Sequence, residues 1–119
     1  MGIPYIALPY RWRVPVTERL ELLELSKSFE GLSNPIRLLM LEALSRVREA
    51  RVSELAIACR ISQPHVSWHL RLLRRAGLVV TRREGREVLC QINRSAVIQM
   101  FEQLNKVVLQ PAEIPATTP

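Results

Sequence analysis

Ser62-Gln63-Pro64 is a helix start that follows almost at once on another short helical stretch, and that closeness constrains the fold more than anything else in the chain. Ser53 can cap a helix running through Cys59, with Val52 placed to staple onto Ile57. Ser62 caps the next helix, with Ile61 placed to staple onto Val66. Two helices joined by a link of about three residues must turn sharply against one another, and a longer, basic second helix makes the pair a helix-turn-helix.

The second helix is expected from Gln63 to about Ala76, ending at Gly77, a residue suited to the left-handed position after a helix. Val66, Leu70 and Leu73 form its apolar face; Gln63, Ser67, Trp68, Arg71, Arg74 and Arg75 lie opposite. Leu78 to Arg82, a turn at Arg83-Glu84-Gly85-Arg86, and Val88 to Ile92 read as a β-hairpin with glycine at its tip. Upstream, Thr17 is placed to cap a helix carrying Leu22, Leu25, Phe29 and Leu32, widened by Leu20 and Leu23 to a second apolar face. Asn34-Pro35 starts a core helix with Ile36, Leu39, Met40, Ala43 and Leu44, and a charged link follows from Arg46 to Arg51. Asn93 can cap a last helix with Val97, Phe101, Leu104 and Val108 on one side and Ile98 on another. The expected fold is mainly α with a small β-hairpin, a winged helix-turn-helix of about five helices plus a wing. The domain is expected over residues 17–109, between an extended Pro/aromatic arm (1–16) and a disordered Pro-rich tail (110–119).

Charge points to the partner. Of 17 Lys+Arg, seven (Arg60, Arg71, Arg74, Arg75, Arg82, Arg83, Arg86) fall between residues 60 and 86, opposed there only by Glu84. A solvated charge run is the ordinary explanation of such clustering, but here the arginines decorate a well-signalled helix and the hairpin after it. With a pI near 10.3 and 5% aromatic residues, the balance favours a polyanion over a small neutral substrate. No apolar run approaches the roughly 18 residues of a membrane span. The N-terminus lacks the layout of a secretory signal, so a cytoplasmic protein is expected. Cys59 and Cys90 are too few for a disulfide scaffold and read first as buried thiols. A redox pair would need their Cα atoms within about 7 Å.

The runs SNPIRLLMLEAL, SELAIAC, SQPHVSWHLRLLRRAGLV and REGREVLCQI resemble the ArsR/SmtB family of winged-helix repressors over about residues 22 to 108. The resemblance implies a homodimer paired through the first and last helices, with Leu20, Leu23, Val97, Phe101, Leu104 and Val108 at the interface. It also implies that each subunit places the helix from Gln63 in a major groove, its wing beside the backbone, and represses transcription. The N-terminal end of such a helix goes deepest, so Gln63, His65, Ser67 and Trp68 are candidates for base-edge contact. Ser62, Arg71, Arg74, Arg75, Arg82, Arg83 and Arg86 are candidates for the DNA backbone, Ser62 as a cap first. His69, bordering the apolar face, reads first as a packed or hydrogen-bonded histidine, and Trp68 either stacks on DNA or folds over an apolar rim.

The family's metal patterns do not carry over. Arg51 and Ser53 stand where one pattern has a Cys-x-Cys pair; Arg94, Ala96, Val107 and Gln110 stand where another has Asp, His, His and Glu. Arg, Ala and Val are not metal ligands. His65 and His69 are spaced i, i+4 but lack a third ligand. No metal and no cofactor are expected; an effector would be an unidentified small molecule or partner protein. One hypothesis gives it an apolar pocket covered by Tyr5, Tyr10 and Trp12. Nucleophile–base pairs, paired carboxylates and phosphate loops are missing from the sequence, so an enzyme is not expected. The expected function is sequence-specific regulation of transcription on double-stranded DNA by a homodimer; the competing reading is a non-specific architectural DNA- or RNA-binding winged helix.

Overall fold

In the computed structural model, residues 16–109 are described. The expected arm (1–16) and tail (110–119), including Tyr5, Tyr10 and Trp12, fall almost wholly outside that range. Five α-helices and three short strands follow in the order α1 (Val16–Glu30), α2 (Pro35–Ser45), β1 (Ala50–Arg51), α3 (Val52–Cys59), α4 (Gln63–Arg75), β2 (Val79–Glu84), β3 (Glu87–Ile92) and α5 (Arg94–Leu104). A π-helical turn, Asn105–Leu109, extends α5.

The start of α2 is built as its sequence suggests. The Asn34 side chain accepts from the N–H groups of Ile36 (2.8 Å) and Arg37 (3.4 Å), and Pro35 fills a first-turn position where no donor is needed. α2 runs through the middle of the molecule against α3, α4 and β3. Met40 and Leu44 from α2, Leu55 from α3, Val66 and Leu73 from α4, then Leu78 and Cys90 are the most completely buried side chains. α1 lies outside this centre and packs against α5.

Several boundaries differ from the sequence reading. α1 already includes Thr17, which is therefore inside its first turn rather than before it. α3 begins at Val52 and not after Ser53, because Ala50 and Arg51 form a short strand paired with β3 (Ala50↔Cys90, Arg51↔Leu89) that holds the chain extended up to the helix. There the Glu54 carboxylate accepts from the Arg51 N–H at 2.9 Å, and Ser53 stands inside the first turn and not before it. Ile57 is 79% exposed, so the staple onto it does not bury it. The hairpin is a three-stranded antiparallel sheet in the order β1-β3-β2. Its register, from Val79↔Ile92 to Glu84↔Glu87, leaves a two-residue loop of Gly85 and Arg86 instead of the wider turn expected from Arg83. Gly85 has φ +63, suited to the first central position of a tight hairpin.

Candidate nucleic-acid interface

α4 is held from both ends. The Ser62 hydroxyl accepts from the His65 N–H at 3.3 Å, which makes Ser62 the cap, and Pro64 lies in the first turn. At the other end the N–H of Leu78 donates to the Leu73 carbonyl (3.0 Å) and that of Gly77 to the Arg74 carbonyl (2.9 Å), with Gly77 at φ +76. Val66, Leu70 and Leu73 are buried beneath the helix. Gln63, His65, Ser67 and Trp68 are exposed toward its N-terminal end, and Arg71, Arg74 and Arg75 are exposed further along. The polar groups and the cations thus share one solvent face of a helix whose other face is fixed in the core.

Trp68 is half exposed, and the Arg71 guanidinium carbon lies 5.6 Å from its ring centroid. The indole neither hides under an apolar rim nor stands free: it supports Arg71 by a cation–π contact and limits where that cation can reach.

The wing arginines differ among themselves. Arg82 is held by Glu49 at 2.9 and 3.0 Å and by Glu84 at 3.2 Å. Arg83 and Arg86 are exposed, and among the described residues neither has an ion-pair partner. Near the wing tip, Glu87, the first residue of β3, pairs with Arg51 of β1 at 2.6 Å. The three cations expected to act alike are therefore two available ones near the tip and one committed to carboxylates.

His69 is buried, as its place beside the apolar face suggests, and its partner, Arg37, comes from α2, a helix distant in the sequence. Arg37, also buried, donates from Nη1 to His69 Nδ1 (3.2 Å), from Nε to the Gly31 carbonyl (2.9 Å) and from Nη2 to the Glu30 carbonyl (3.3 Å). One guanidinium thereby fastens the C-terminal end of α1 to the middle of α4. A guanidinium only donates, so Nδ1 accepts and the neutral imidazole carries its proton on Nε2, which is buried without a hydrogen-bond partner among the described residues. Burial pushes the His69 pKa down from 6.5, with the nearby charges of His65 and Arg37 acting in the same direction. The only sequence signal for Arg37 was a lone cation within an apolar helix.

Cys59 and Cys90 are both buried free thiols. Burial raises the Cys59 pKa, and it pushes Cys90 up to about 11 against a small opposing effect of Arg74. At neutral pH both stay protonated, which disfavours the thiolate that redox exchange requires. Among the described residues no group of three or more His, Cys, Asp or Glu side chains stands together, and no helix is long and apolar enough to cross a membrane.

The residues expected at a dimer contact divide into two sets. Leu20 (63%), Leu23 (59%), Phe101 (53%) and Val108 (60%) are exposed, together with Ile98, whereas Val97 and Leu104 are half-buried against the core. Phe101 meets Phe29 edge-on, with ring centroids 6.0 Å apart. Val108 falls in the π-helical turn, so the four α5-side residues do not form the single stripe an unbroken α-helix would give. The α1–α5 surface still presents more exposed apolar side chains than a lone small domain has use for.

Residues 34–81 match the model of the arsR family of bacterial regulatory proteins. The chain is 35% identical over 81 residues to a transcriptional repressor SmtB homolog of Synechocystis sp., covering 68% of this chain and 61% of that protein's length. It is 31% identical over 90 residues to the biofilm growth-associated repressor of Agrobacterium fabrum, covering 76% of each. Among solved structures it superposes with a TM-score of 0.66 and 26% identity on a homodimeric winged helix-turn-helix DNA-binding domain from Mycobacterium bovis, covering 83% of this chain and 90% of that one.

Proposed function

The chain belongs to the arsR family of bacterial regulatory proteins, and from that membership we propose that it is a homodimeric, sequence-specific transcriptional repressor acting in the cytoplasm. It is a DNA-binding regulator and not an enzyme. Each subunit inserts the N-terminal half of α4 into a major groove, and Gln63, His65 and Ser67 read base edges. Trp68 holds Arg71 toward the backbone, where Arg74, Arg75 and Ser62 join it, and the wing adds Arg83 and Arg86. Arg82 contributes less, being engaged by Glu49 and Glu84. The observation that carries this reading is the solvent face of α4, where neutral hydrogen-bonding groups precede the cations on a helix locked to the core. A purely electrostatic binder has no need of those neutral groups at the end that goes deepest.

Two copies pair through the exposed apolar surface of α1 and α5, with Leu20, Leu23 and Phe101 at its centre and Val97, Leu104 and Val108 along it. Regulation does not use the family's metal patterns, since Arg51, Ser53, Arg94, Ala96, Val107 and Gln110 stand at those positions.

Fluorescence anisotropy on the DNA upstream of the protein's own gene and on a shuffled duplex, at near-physiological salt, tests the reading. A preference of about a thousandfold is expected for a specific regulator. Gln63→Ala should weaken that preferred duplex selectively, whereas Arg83→Ala with Arg86→Ala should weaken both duplexes alike and flatten the salt dependence by about 3.6, for two phosphate contacts in each subunit of the dimer. Equal loss on both duplexes for Gln63→Ala would contradict its base-reading role.

A further inference from the structure

α3 and α4 end in the same way with different residues. In α4 the closing position is Gly77. In α3 the N–H of Ile61 donates to the Ala56 carbonyl (3.1 Å) and that of Arg60 to the Ile57 carbonyl (3.3 Å), and Arg60 stands at φ 56, ψ 43. This closure requires a left-handed residue immediately after the helix. Glycine takes that conformation freely, while a Cβ there crowds the following carbonyl. Arg60 is the only non-glycine residue with positive φ among the described residues. The chain holds a long cation in the very backbone state that it fills with glycine one helix later.

Among the described residues, no contact accounts for that choice. Arg60 is exposed, and no carboxylate among the described residues lies within ion-pair distance of its guanidinium. Its position is specific, however: it lies in the joint between α3 and α4, two residues before the Ser62 cap. In a helix-turn-helix the first helix crosses the DNA backbone while the start of the second enters the groove, so a side chain at the joint faces the phosphates that border that groove. Backbone strain without an internal use is a mark of an external contact. We propose that Arg60 contacts a phosphate of the DNA backbone from the α3–α4 turn, next to the base-reading end of α4, at a cost to the stability of the free protein. The proposal rests on the DNA-binding reading above.

The two sides of the proposal have opposite signs, which makes them separable. Arg60→Gly in the full chain should raise the melting temperature by about 4 °C or more, because the left-handed strain is relieved. The same variant should bind the upstream and shuffled duplexes several-fold more weakly, with the slope of log affinity against log salt shallower by about 1.8, one phosphate for each subunit of the dimer. Arg60→Lys should keep the parent slope and the parent melting temperature, since it keeps both the charge and the strained Cβ; Arg60→Asn, tolerant of the left-handed region, should follow the glycine variant. A glycine variant that melts higher yet keeps the parent affinity and slope would overturn the phosphate contact. So would a loss confined to the upstream duplex, which would make Arg60 a base reader, and a lower melting temperature would overturn the strain argument. If the parent protein bound neither duplex, the DNA-binding reading itself would fall, a result distinct from each of these.

Discussion

Replacing Arg37 by methionine removes a guanidinium while leaving a side chain of similar reach. Three acceptors lose their donor: the Gly31 carbonyl at 2.9 Å, His69 Nδ1 at 3.2 Å and the Glu30 carbonyl at 3.3 Å. The first two contacts are buried and the third only partly so. An orphaned buried acceptor costs roughly 1 to 3 kcal/mol. Taking the lower half of that range for the buried pair and less for Glu30 gives a gross loss of about 3 to 4 kcal/mol. Against this, methionine no longer has to strip water from a charge, and Arg37 has no carboxylate partner among the described residues to repay that cost. The net expectation is a loss of about 2 to 3 kcal/mol, or about 10 °C in melting temperature for a domain near 100 residues. Urea unfolding followed by far-ultraviolet circular dichroism would measure it, provided the denaturant slope is unchanged. A loss below about 0.5 kcal/mol, or a gain, would refute the claim that Arg37 bridges α1 and α4 to structural effect.

Two further perturbations probe the same junction. Because the His69 pKa is lowered in the folded state, the unfolded chain takes up a proton first as pH falls through about 6.5. Its contribution is therefore fully present above that value and is lost on acidification, at up to about 1.4 kcal/mol per pH unit, until the folded imidazole also titrates. His69→Gln should flatten the dependence of unfolding free energy on pH between 7 and 5; parallel curves for parent and variant would exclude His69 as its source. A Cβ at residue 31 would lie 2.6 Å from the Ala76 Cβ and 3.2 Å from Leu78 Cδ1. Gly31→Ala should destabilise by about 1 to 3 kcal/mol through overpacking, and Ala76→Gly in the same chain should recover part of the loss in urea unfolding, a recovery that purely local strain at residue 31 would not give.

Local chemistry was legible in the sequence; the contacts that fasten one element to another were not. Asn34, Ser62 and Asn93 cap helices as their positions suggest, because a capping side chain reaches only two or three residues along the chain. Gly77 and Gly85 take the positive φ their places demand. β1 has no sequence signature, since two residues carry no periodicity and its partner Cys90 lies far along the chain. That strand in turn sets the start of α3 at Val52, ahead of the start a Ser53 cap would give. Arg37 looked like one charge in an apolar helix because its acceptors come from α1 and α4, and neither its burial nor the tautomer it fixes on His69 has a local signature. The commitment of Arg82 to Glu49 likewise depends on a neighbour 33 residues away. Arg60 was visible as a charge but not as a strained residue, since its φ follows from how α3 is closed.

These non-local contacts bear directly on how a regulator of this kind could respond to a signal. α1 and α5 carry the exposed apolar side chains Leu20, Leu23, Ile98 and Phe101, and α4 carries the exposed polar row from Gln63 to Arg75. α1 and α4 are joined at two points, Arg37 with His69 and Gly31 against Ala76, both close to the end of α1. In the proposed dimer the pairing surface would thus fix the two reading helices through that junction, and half-sites must lie about one helical turn, roughly 34 Å, apart. In such a dimer a rotation of α1 by a few degrees would shift α4 through that junction, and base-edge hydrogen bonds tolerate little displacement, since their partners must lie within about 3 Å. An effector bound at the proposed α1–α5 pairing surface would therefore not need to touch α4 to alter the fit in the groove, since the Arg37–His69 and Gly31–Ala76 contacts join the two helices.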